Sequence, residues 1–382
     1  MYSKLELKMT LHERLSATSF RGPGFDLLRI VFATVVLLHH ARGLEYDMQV
    51  DPLFYYSGGF IHFGFLAVAV FFVLSGFLVT PSLIRSGNVI DFASRRILRV
   101  FPPLIVVVIA SMVVLGPALT TVPLASYFSD PNLYRYAKNM VTLTFDYLPG
   151  VIDKAGHPII INGALWILHF EVLSYAALVL TNMLGFLRRR SLFLIPFLAS
   201  YGIYLAMSFY PTLVAAFPHR FLTFVTLFVY FGAGATLFLF ADRVPFSMAM
   251  VGGAFAVIMV ALPFGMGAVV MPLCLGYIII FFGLSALPGQ PLLKHDLSYG
   301  IYLTHSPVLV AVSVLFPGLQ PWWLVAAIAF LITLILSYLC WAFVEEPVLR
   351  WKKGLSNWLN GRFDAFCPPW SKRTRALAAK NK

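Results

Sequence analysis

The sequence predicts an all-α fold, a polytopic membrane bundle with about ten transmembrane helices. Three observations support this fold class. Apolar residues make up 60% of the chain and charged residues 12%, whereas a soluble domain is about half apolar and a quarter charged. Apolar runs of about 20 residues, each long enough to cross a bilayer core of about 30 Å, recur along the chain. Basic residues are concentrated in the short segments between those runs, as membrane topology requires.

Ten apolar segments are predicted to span the membrane. The first 24 residues are polar and basic and have no apolar core of their own, so they do not indicate a cleavable signal peptide. The seventh and eighth spans are separated by little more than a short Pro- and Gly-containing segment. The predicted spans are 25–44, 60–83, 100–118, 163–187, 191–211, 219–240, 246–264, 267–287, 298–317 and 321–345.

The positions of the basic residues predict the orientation. If the N-terminus is cytoplasmic, the inner loops and tails hold 22 of the 28 Lys and Arg residues and the outer loops hold five. The remaining one, Arg29, lies within the first span. The opposite orientation would invert this ratio, so both termini are expected to be cytoplasmic and the long loop 119–162 to lie outside.

The terminal segments and the cysteines complete this outline. Residues 1–24 are predicted to be a cytoplasmic basic N-terminal segment, and residues 348–382 a cytoplasmic basic tail that lies on anionic lipid. The net charge of +12 does not indicate a nucleic-acid partner, because the basic residues lie in short loops and tails. The three cysteines form no closely spaced pair, so they indicate neither a disulfide framework nor a zinc site.

The first span carries ionisable residues, which are costly in a membrane and therefore candidates for function. Arg29 and His40 are eleven residues apart, which puts them on one helix face about 16 Å apart along the axis. Asp26 lies one turn from Arg29 and can pair with it. His39 points about 100° away, and the sequence gives it no role. This face fits a long anionic donor that ends at an imidazole, but a snorkelling Arg29 and a structural His40 fit it equally.

Three arginines follow the second span. Arg95 and Arg99 share a helix face, as do Arg96 and Arg99. Arginine binds phosphate in a bidentate manner, so the three side chains can grip a nucleotide at the inner surface. Ordinary topology signalling is the alternative, and without other evidence it explains them better.

Two later spans also carry polar candidates. Glu171, in the fourth span, needs a partner or a proton if it is buried. Its partner can be a histidine or arginine of the same cavity, or it can tie two helices together. His305, in the ninth span, is followed by Pro307, which frees a backbone carbonyl one turn earlier. The sequence is compatible with two roles for this segment, contact with a ligand and a structural kink.

Together these segments resemble the acyltransferase-3 family of membrane O-acyltransferases. The first span has the family's hallmark, an arginine followed by ten residues and a histidine. Each match is short, but the matches occur in order across most of the chain. They are residues 25–40, 71–77 (FFVLSGF), 95–102 (RRILRVFP), 165–171 (LWILHFE), 298–307 (SYGIYLTHSP) and 341–347 (WAFVEEP).

The resemblance implies that residues 25–347 form a transmembrane acyltransferase domain in the bacterial inner membrane. It implies acyl-CoA as the cytoplasmic donor, with acetyl the commonest acyl group, and no resident cofactor. The implied acceptor is a hydroxyl of an exopolysaccharide, O-antigen or lipid-linked precursor, with a secreted small molecule such as a macrolide as the alternative. It also implies that His40 is the essential histidine and that Arg96 and Arg99 contact the CoA phosphates.

This chemistry needs a base for the acceptor hydroxyl, and imidazole titrates near neutrality. We expect His40 to be that base, with Glu171 or Asp26 holding its tautomer. The expected contacts of donor and substrate are Arg29, Arg95, Arg96, Arg99, Trp166 and His305. No serine or cysteine is placed as an obvious nucleophile, which favours direct transfer over an acyl-histidine intermediate. Two alternative functions from other functional classes are a secondary transporter and a non-catalytic assembly subunit.

The charge distribution gives a testable topology. Reporter fusions after residue 190 and at the C-terminus are expected to report the cytoplasm, and a fusion within 119–162 the outside, because 22 basic residues lie on the inner side against five on the outer. A cytoplasmic signal from 119–162, or an external signal from either of the other fusions, would contradict this orientation.

Overall fold

The computed structural model describes residues 9–18, 22–43, 51–86, 88–288, 295–351 and 354. Within these ranges, ten principal helices follow the ten predicted spans in order, which confirms the all-α bundle. Most of the predicted tail 348–382 and part of segment 1–24 lie outside the described residues. The ten helices are α1 (Phe25–Gly43), α2 (Phe63–Ser86), α3 (Val89–Ala110), α4 (Trp166–Met183), α5 (Arg190–Phe209), α6 (His219–Leu239), α7 (Met248–Ala261), α8 (Gly267–Leu284), α9 (Ser298–Leu315) and α10 (Trp322–Cys340).

Eight of these described helices are long and apolar enough to cross a membrane. The other two are α1, which carries Asp26, Arg29 and Arg42, and α7. Helix α7 has 14 residues, so it is about 21 Å long and shorter than a bilayer core of about 30 Å. The most apolar part of α2, α6, α8 and α9 is at least 67% buried, against 17% for α5 and 33% for α3 and α10. Helices α2, α6, α8 and α9 therefore form the core, and α3, α5 and α10 lie towards the lipid.

Helices α3 and α10 each run into a π-helical turn. Helix α3 starts at Val89, where the side chain of Asn88 accepts a hydrogen bond from the backbone N–H of Ile90 at 2.9 Å. This start lies earlier than the predicted span at residue 100, so the three inner arginines lie on the first turns of the spanning helix itself. The π turns comprise Ser111–Leu115 after α3 and Trp341–Glu345 after α10.

The closest crossing in the core joins α2 and α6 through two glycines. A Cβ atom at Gly76 of α2 would overlap the backbone carbonyl of Phe231. A Cβ atom at Gly234 of α6 would overlap the carbonyl of Val73. Small residues of this kind let two backbones approach closely, which is how helices gain packing contacts in a membrane.

The described N-terminal residues pack on the bundle end at which α1 begins. A short helix, Leu11–Ala17, starts with a capping box formed by Thr10 and Glu13. The Arg14 side chain donates a hydrogen bond to the carbonyl of Leu284, at the end of α8, over 3.0 Å. The end of the bundle that carries these residues is the one predicted to be cytoplasmic, and it is called the inner end below. The opposite end is called the outer end.

The glycine crossing predicts a specific loss of stability. Gly76→Ala is expected to lower the melting temperature of the detergent-purified protein, because the new methyl group must push α6 away. Overpacking of this kind costs about 1–3 kcal/mol. Gly202→Ala in α5 is the matched control, since a Cβ atom there meets nothing within 4 Å. Equal melting temperatures for the two variants would contradict the described crossing.

Candidate active site

Two histidines meet in the outer half of the bundle. His40 lies in the last turn of α1, and His305 lies in the middle of α9 and is fully buried. Their ring centroids are 5.1 Å apart. The Nε2 atom of His305 lies 3.3 Å from the Nδ1 atom of His40. The sequence singled out both residues but did not predict this contact.

The backbone around the two rings fixes their tautomers. The Nδ1 atom of His305 lies 2.8 Å from the carbonyl oxygen of Tyr302, and the Nδ1 atom of His40 lies 2.9 Å from that of Val36. Carbonyl oxygens only accept hydrogen bonds, so both Nδ1 atoms carry a proton. The single Nδ1–H of His40 is therefore shared between two acceptors, the Val36 carbonyl at 2.9 Å and the unprotonated Nε2 of His305 at 3.3 Å, and the bond to His305 is the weaker one. This leaves Nε2 of His40 as a lone-pair nitrogen that is free to take a proton.

The proline after His305 anchors the outer loop to this pair. Pro307 has no backbone N–H, so the carbonyl of Leu303, four residues earlier, lacks its helical partner. The side-chain amide of Asn162 donates to that carbonyl at 2.9 Å. Ser306 donates to the carbonyl of Ile161 at 3.2 Å. The end of the outer loop is therefore fastened to α9 at the level of His305.

A network of ion pairs occupies the inner end. Arg99 of α3 lies 2.7 Å from Asp296, just before α9, and 2.8 Å from Glu345 at the end of α10. Arg29 of α1 lies 3.3 Å from Asp296 and 3.1 Å from Asp26. Burial acts to raise the pKa of Asp296, but the charges of the two arginines outweigh it and hold that pKa below its usual range. Four helices are thus joined through charged groups.

A cavity of about 140 Å³ extends from this network into the bundle. Arg29, Arg96 and Arg99 line it towards the inner end, and Glu171 lines it further in. Glu171 accepts hydrogen bonds from the hydroxyl of Tyr175 and, at 3.4 Å, from that of Ser75. Tyr302 also lines the cavity, and its ring centroid lies 6.0 Å from that of His305. The cavity therefore leads from the arginines towards the histidine pair.

Two of the inner arginines have unused hydrogen-bond donors. The Nε atoms of Arg95 and Arg96 and one terminal nitrogen of Arg95 are buried and have no hydrogen-bond partner among the described residues. A buried donor without a partner is costly, so such a group calls for a partner from outside the protein, such as a water molecule, an ion or a ligand. Arg96 faces the cavity, whereas Arg95 is not among the residues that line it.

A second, larger cleft of about 700 Å³ lies between α4, α5 and α6 near the outer end. Trp166 and His169 of α4 line this cleft, whereas Ile167 and Glu171 of the same helix line the inner cavity. Helix α4 therefore borders both spaces, each with a different set of side chains. The other polar lining residues include Thr142, Thr144, Tyr204, His219, Arg220 and Thr223.

The geometry corrects two expectations from the sequence. Asp26 does not lie beside His40, because it pairs with Arg29 and is 14 residues away, about 21 Å along α1. The described bonds of Glu171 go to Tyr175 and Ser75, so the residue that contacts His40 is His305. Asp296 and Glu345 are two further residues of this site that the sequence did not indicate. Both lie within or beside matched motifs, but neither lies in the middle of a span, where an ionisable residue is conspicuous.

Comparisons with known proteins agree on one family. A family model described as an acyltransferase domain matches residues 23–342. The chain is similar to an O-acetyl transferase of Shigella phage Sf6, with 30% identity over 335 residues that cover 85% of this chain and 95% of that protein. It is also similar to nodulation protein 10 of Rhizobium leguminosarum bv. viciae, with 29% identity over 362 residues that cover 87% of this chain and 94% of that protein. No solved structure matches.

Proposed function

Because the chain belongs to the acyltransferase-3 family, we propose that it transfers an acyl group, acetyl in the simplest case, from cytoplasmic acyl-CoA to a hydroxyl of a saccharide outside the membrane. The observation that carries this proposal is the pair of His40 and His305, which leaves a free imidazole nitrogen and lies beyond Tyr302, the residue at the far end of a cavity that begins at arginines. The name of the phage relative supports acetyl as the transferred group.

The donor half of the proposal rests on the inner cavity. Arg96 lines this cavity and offers a buried guanidinium N–H group without a partner among the described residues, which suits a phosphate of CoA. Arg99 is held by Asp296 and Glu345, so its contribution is to keep the mouth of the cavity in shape. Arg29 and His40 are about 16 Å apart along α1, a separation that suits the thin pantetheine arm. The thioester then lies beside the histidine pair.

The chemical step is direct transfer. Nε2 of His40 takes the proton of the acceptor hydroxyl while the oxygen attacks the thioester carbonyl. The new C–O bond forms, the C–S bond breaks, and the imidazolium returns its proton to the departing thiolate. His305 is a positioning residue, because its Nε2 is a second acceptor, beside the Val36 carbonyl, for the Nδ1–H that leaves the other nitrogen of His40 free. Its hydrogen bond strengthens when His40 is charged.

The acceptor half rests on the outer cleft. Trp166 and Tyr204 supply aromatic faces, and threonine hydroxyls with His169 supply hydrogen-bonding groups, a combination that suits a saccharide. Arg220, one of five basic residues in the predicted outer loops, lies at this cleft and suits an anionic group on the acceptor. A secondary transporter is less well supported, because transport requires no acyl donor and leaves the arginine-lined inner cavity unexplained.

The two inner arginines are predicted to respond differently to substitution. Arg96→Ala is expected to raise the KM for acyl-CoA roughly tenfold or more at unchanged stability, since a lost charge-assisted contact costs about 1.5–3 kcal/mol. Arg99→Ala is expected to lower the melting temperature, because it leaves the buried Glu345 unpaired and Asp296 with Arg29 as its remaining arginine, at a cost of about 3–5 kcal/mol. Donor dependence and melting temperature of both purified variants test this. An unchanged KM in Arg96→Ala would remove that residue from the donor site.

The histidine pair gives the test of the proposed function. Membranes that contain the protein are expected to transfer label from acetyl-CoA to envelope saccharide, detected by mass spectrometry. His40→Ala is expected to lower the rate by about 10²–10⁴-fold, the usual contribution of a general base. His305→Leu is expected to lower kcat by roughly 10- to 100-fold with little change in KM, because it removes the acceptor of a charge-assisted bond.

His305→Gln is the matched control, because its amide oxygen can accept from His40 and restore most of the rate. Variants are compared at equal amounts in the membrane. Near-normal transfer by His40→Ala would overturn the assignment of the base. Equal losses in His305→Gln and His305→Leu would overturn the positioning role, since a merely structural defect does not depend on a hydrogen-bond acceptor.

A further inference from the structure

A second polar cluster lies beside the histidine pair, at the outer end, and the proposed function does not use it. His39 comes from the last turns of α1, Asp51 caps a short helix, Pro52–Tyr56, and His62 precedes α2. One nitrogen or oxygen of each residue lies within 4.8 Å of those of the other two. His39 is the histidine to which the sequence gives no role.

The distance between His39 and Asp51 suits a bridging ion better than a direct bond. The Nδ1 atom of His39 lies 3.7 Å from Oδ2 of Asp51, beyond the usual hydrogen-bond range of about 2.7–3.2 Å. Zinc binds imidazole nitrogen at about 2.0–2.1 Å and carboxylate oxygen at about 2.0–2.2 Å. One ion bonded to both atoms fills this gap at an angle of about 125°.

The carboxylate of Asp51 is held in a fixed orientation. Its Oδ1 atom accepts from the backbone N–H groups of Leu53 at 2.8 Å and Phe54 at 3.2 Å. Its Oδ2 atom accepts a hydrogen bond from the backbone N–H of Phe63 at 3.1 Å. A carboxylate has about four acceptor positions, so one position on Oδ2 is left, on the side of His39. Such hydrogen bonds to a ligating carboxylate are typical of metal sites.

The start of α2 leaves room for the ring of His39. A Cβ atom at Gly64 would overlap the Cδ2–Nε2 edge of that imidazole. The ring is therefore pressed against the α2 backbone on one edge, while its Nδ1 edge faces Asp51. Only glycine permits this approach.

His62 completes the set but binds less freely. Its ring lies nearly parallel to that of His39, with centroids 4.7 Å apart. Its Nδ1 atom accepts from the backbone N–H of Phe65 at 3.1 Å, so its Nε2 atom carries the proton. An ion bound to His62 displaces either that proton or the Phe65 bond, which makes His62 the weakest of the three ligands.

We propose that His39, Asp51 and His62 bind one divalent cation of the zinc type at the outer end. Two imidazoles and one carboxylate favour zinc over magnesium or calcium, which prefer oxygen ligands alone. Three protein ligands leave one position of a tetrahedral ion for water. The ion ties the outer ends of α1 and α2 together next to His40, whose ring centroid lies 5.7 Å from that of His39.

The test is metal binding by the purified, full-length protein, stripped with a chelator and studied without acyl donor or acceptor. Titration with Co²⁺ is expected to give visible d–d absorption that saturates at one equivalent and is displaced by Zn²⁺. His39→Gln is the primary variant, because Asp51 and His62 also hold backbone N–H groups of the helix starts. It is expected to weaken Zn²⁺ binding at least about tenfold, since even outer-shell partners contribute 10- to 100-fold.

His157→Gln is the matched control. His157 lies 3.4 Å from Asp153 in the exposed outer loop, so it resembles the His39–Asp51 pair but lacks a third ligand. The His157→Gln variant is expected to bind Zn²⁺ with the same affinity as the unmodified protein. No saturable Co²⁺ signal, or equal affinity in His39→Gln and the unmodified protein, would overturn the proposal. Neither result bears on acyl transfer, because the assay needs no turnover.

Discussion

The cost of an unpaired charge in a bundle surrounded by lipid sets the arrangement of the inner end. Arg99 enters from α3, and the two carboxylates that neutralise it come from the segment before α9 and the end of α10. Asp296 in turn meets Arg29 of α1. Helices that are distant in the sequence are therefore joined by one network of ion pairs. The arginines of this network also line the mouth of the inner cavity.

The outer half depends instead on hydrogen bonds to backbone groups that the helices leave without a partner. Pro307 leaves the carbonyl of Leu303 without its helical partner, and Asn162 of the outer loop supplies one. The same stretch of α9 orients His305, whose Nδ1 is bonded to the carbonyl of Tyr302. One short stretch of α9 thus fastens the loop and holds the ring that faces His40. The geometry of the histidine pair and the anchoring of the loop come from the same few residues.

Helix periodicity explains what the sequence could predict. Arg29 and His40 lie on one helix, so their shared face follows from a spacing of eleven residues. The contact between His40 and His305 joins residues 265 positions apart, and it depends on how α1 and α9 pack. The same holds for Asp296 and Glu345, which lie at helix ends where a carboxylate is usually solvated. His62 and Asp51 lie in an outer connection, so no spacing within one helix relates them to His39.

The π turn at Trp341–Glu345 bears on how this family can diverge. A π turn takes in one residue more than an α turn, so it rotates the following residues by about 100° relative to the preceding helix. Glu345 is buried against Arg99, whereas the side chain of Glu346 is 41% exposed and pairs with Arg350 on the surface. Deleting a single residue from this turn before Glu345 would turn Glu345 away from Arg99 and bring Glu346 to the face that Glu345 now occupies. The partner of the inner arginine therefore depends on the length of this segment as well as on its residues, and an alignment gap here would mark a relative with a different partner for that arginine.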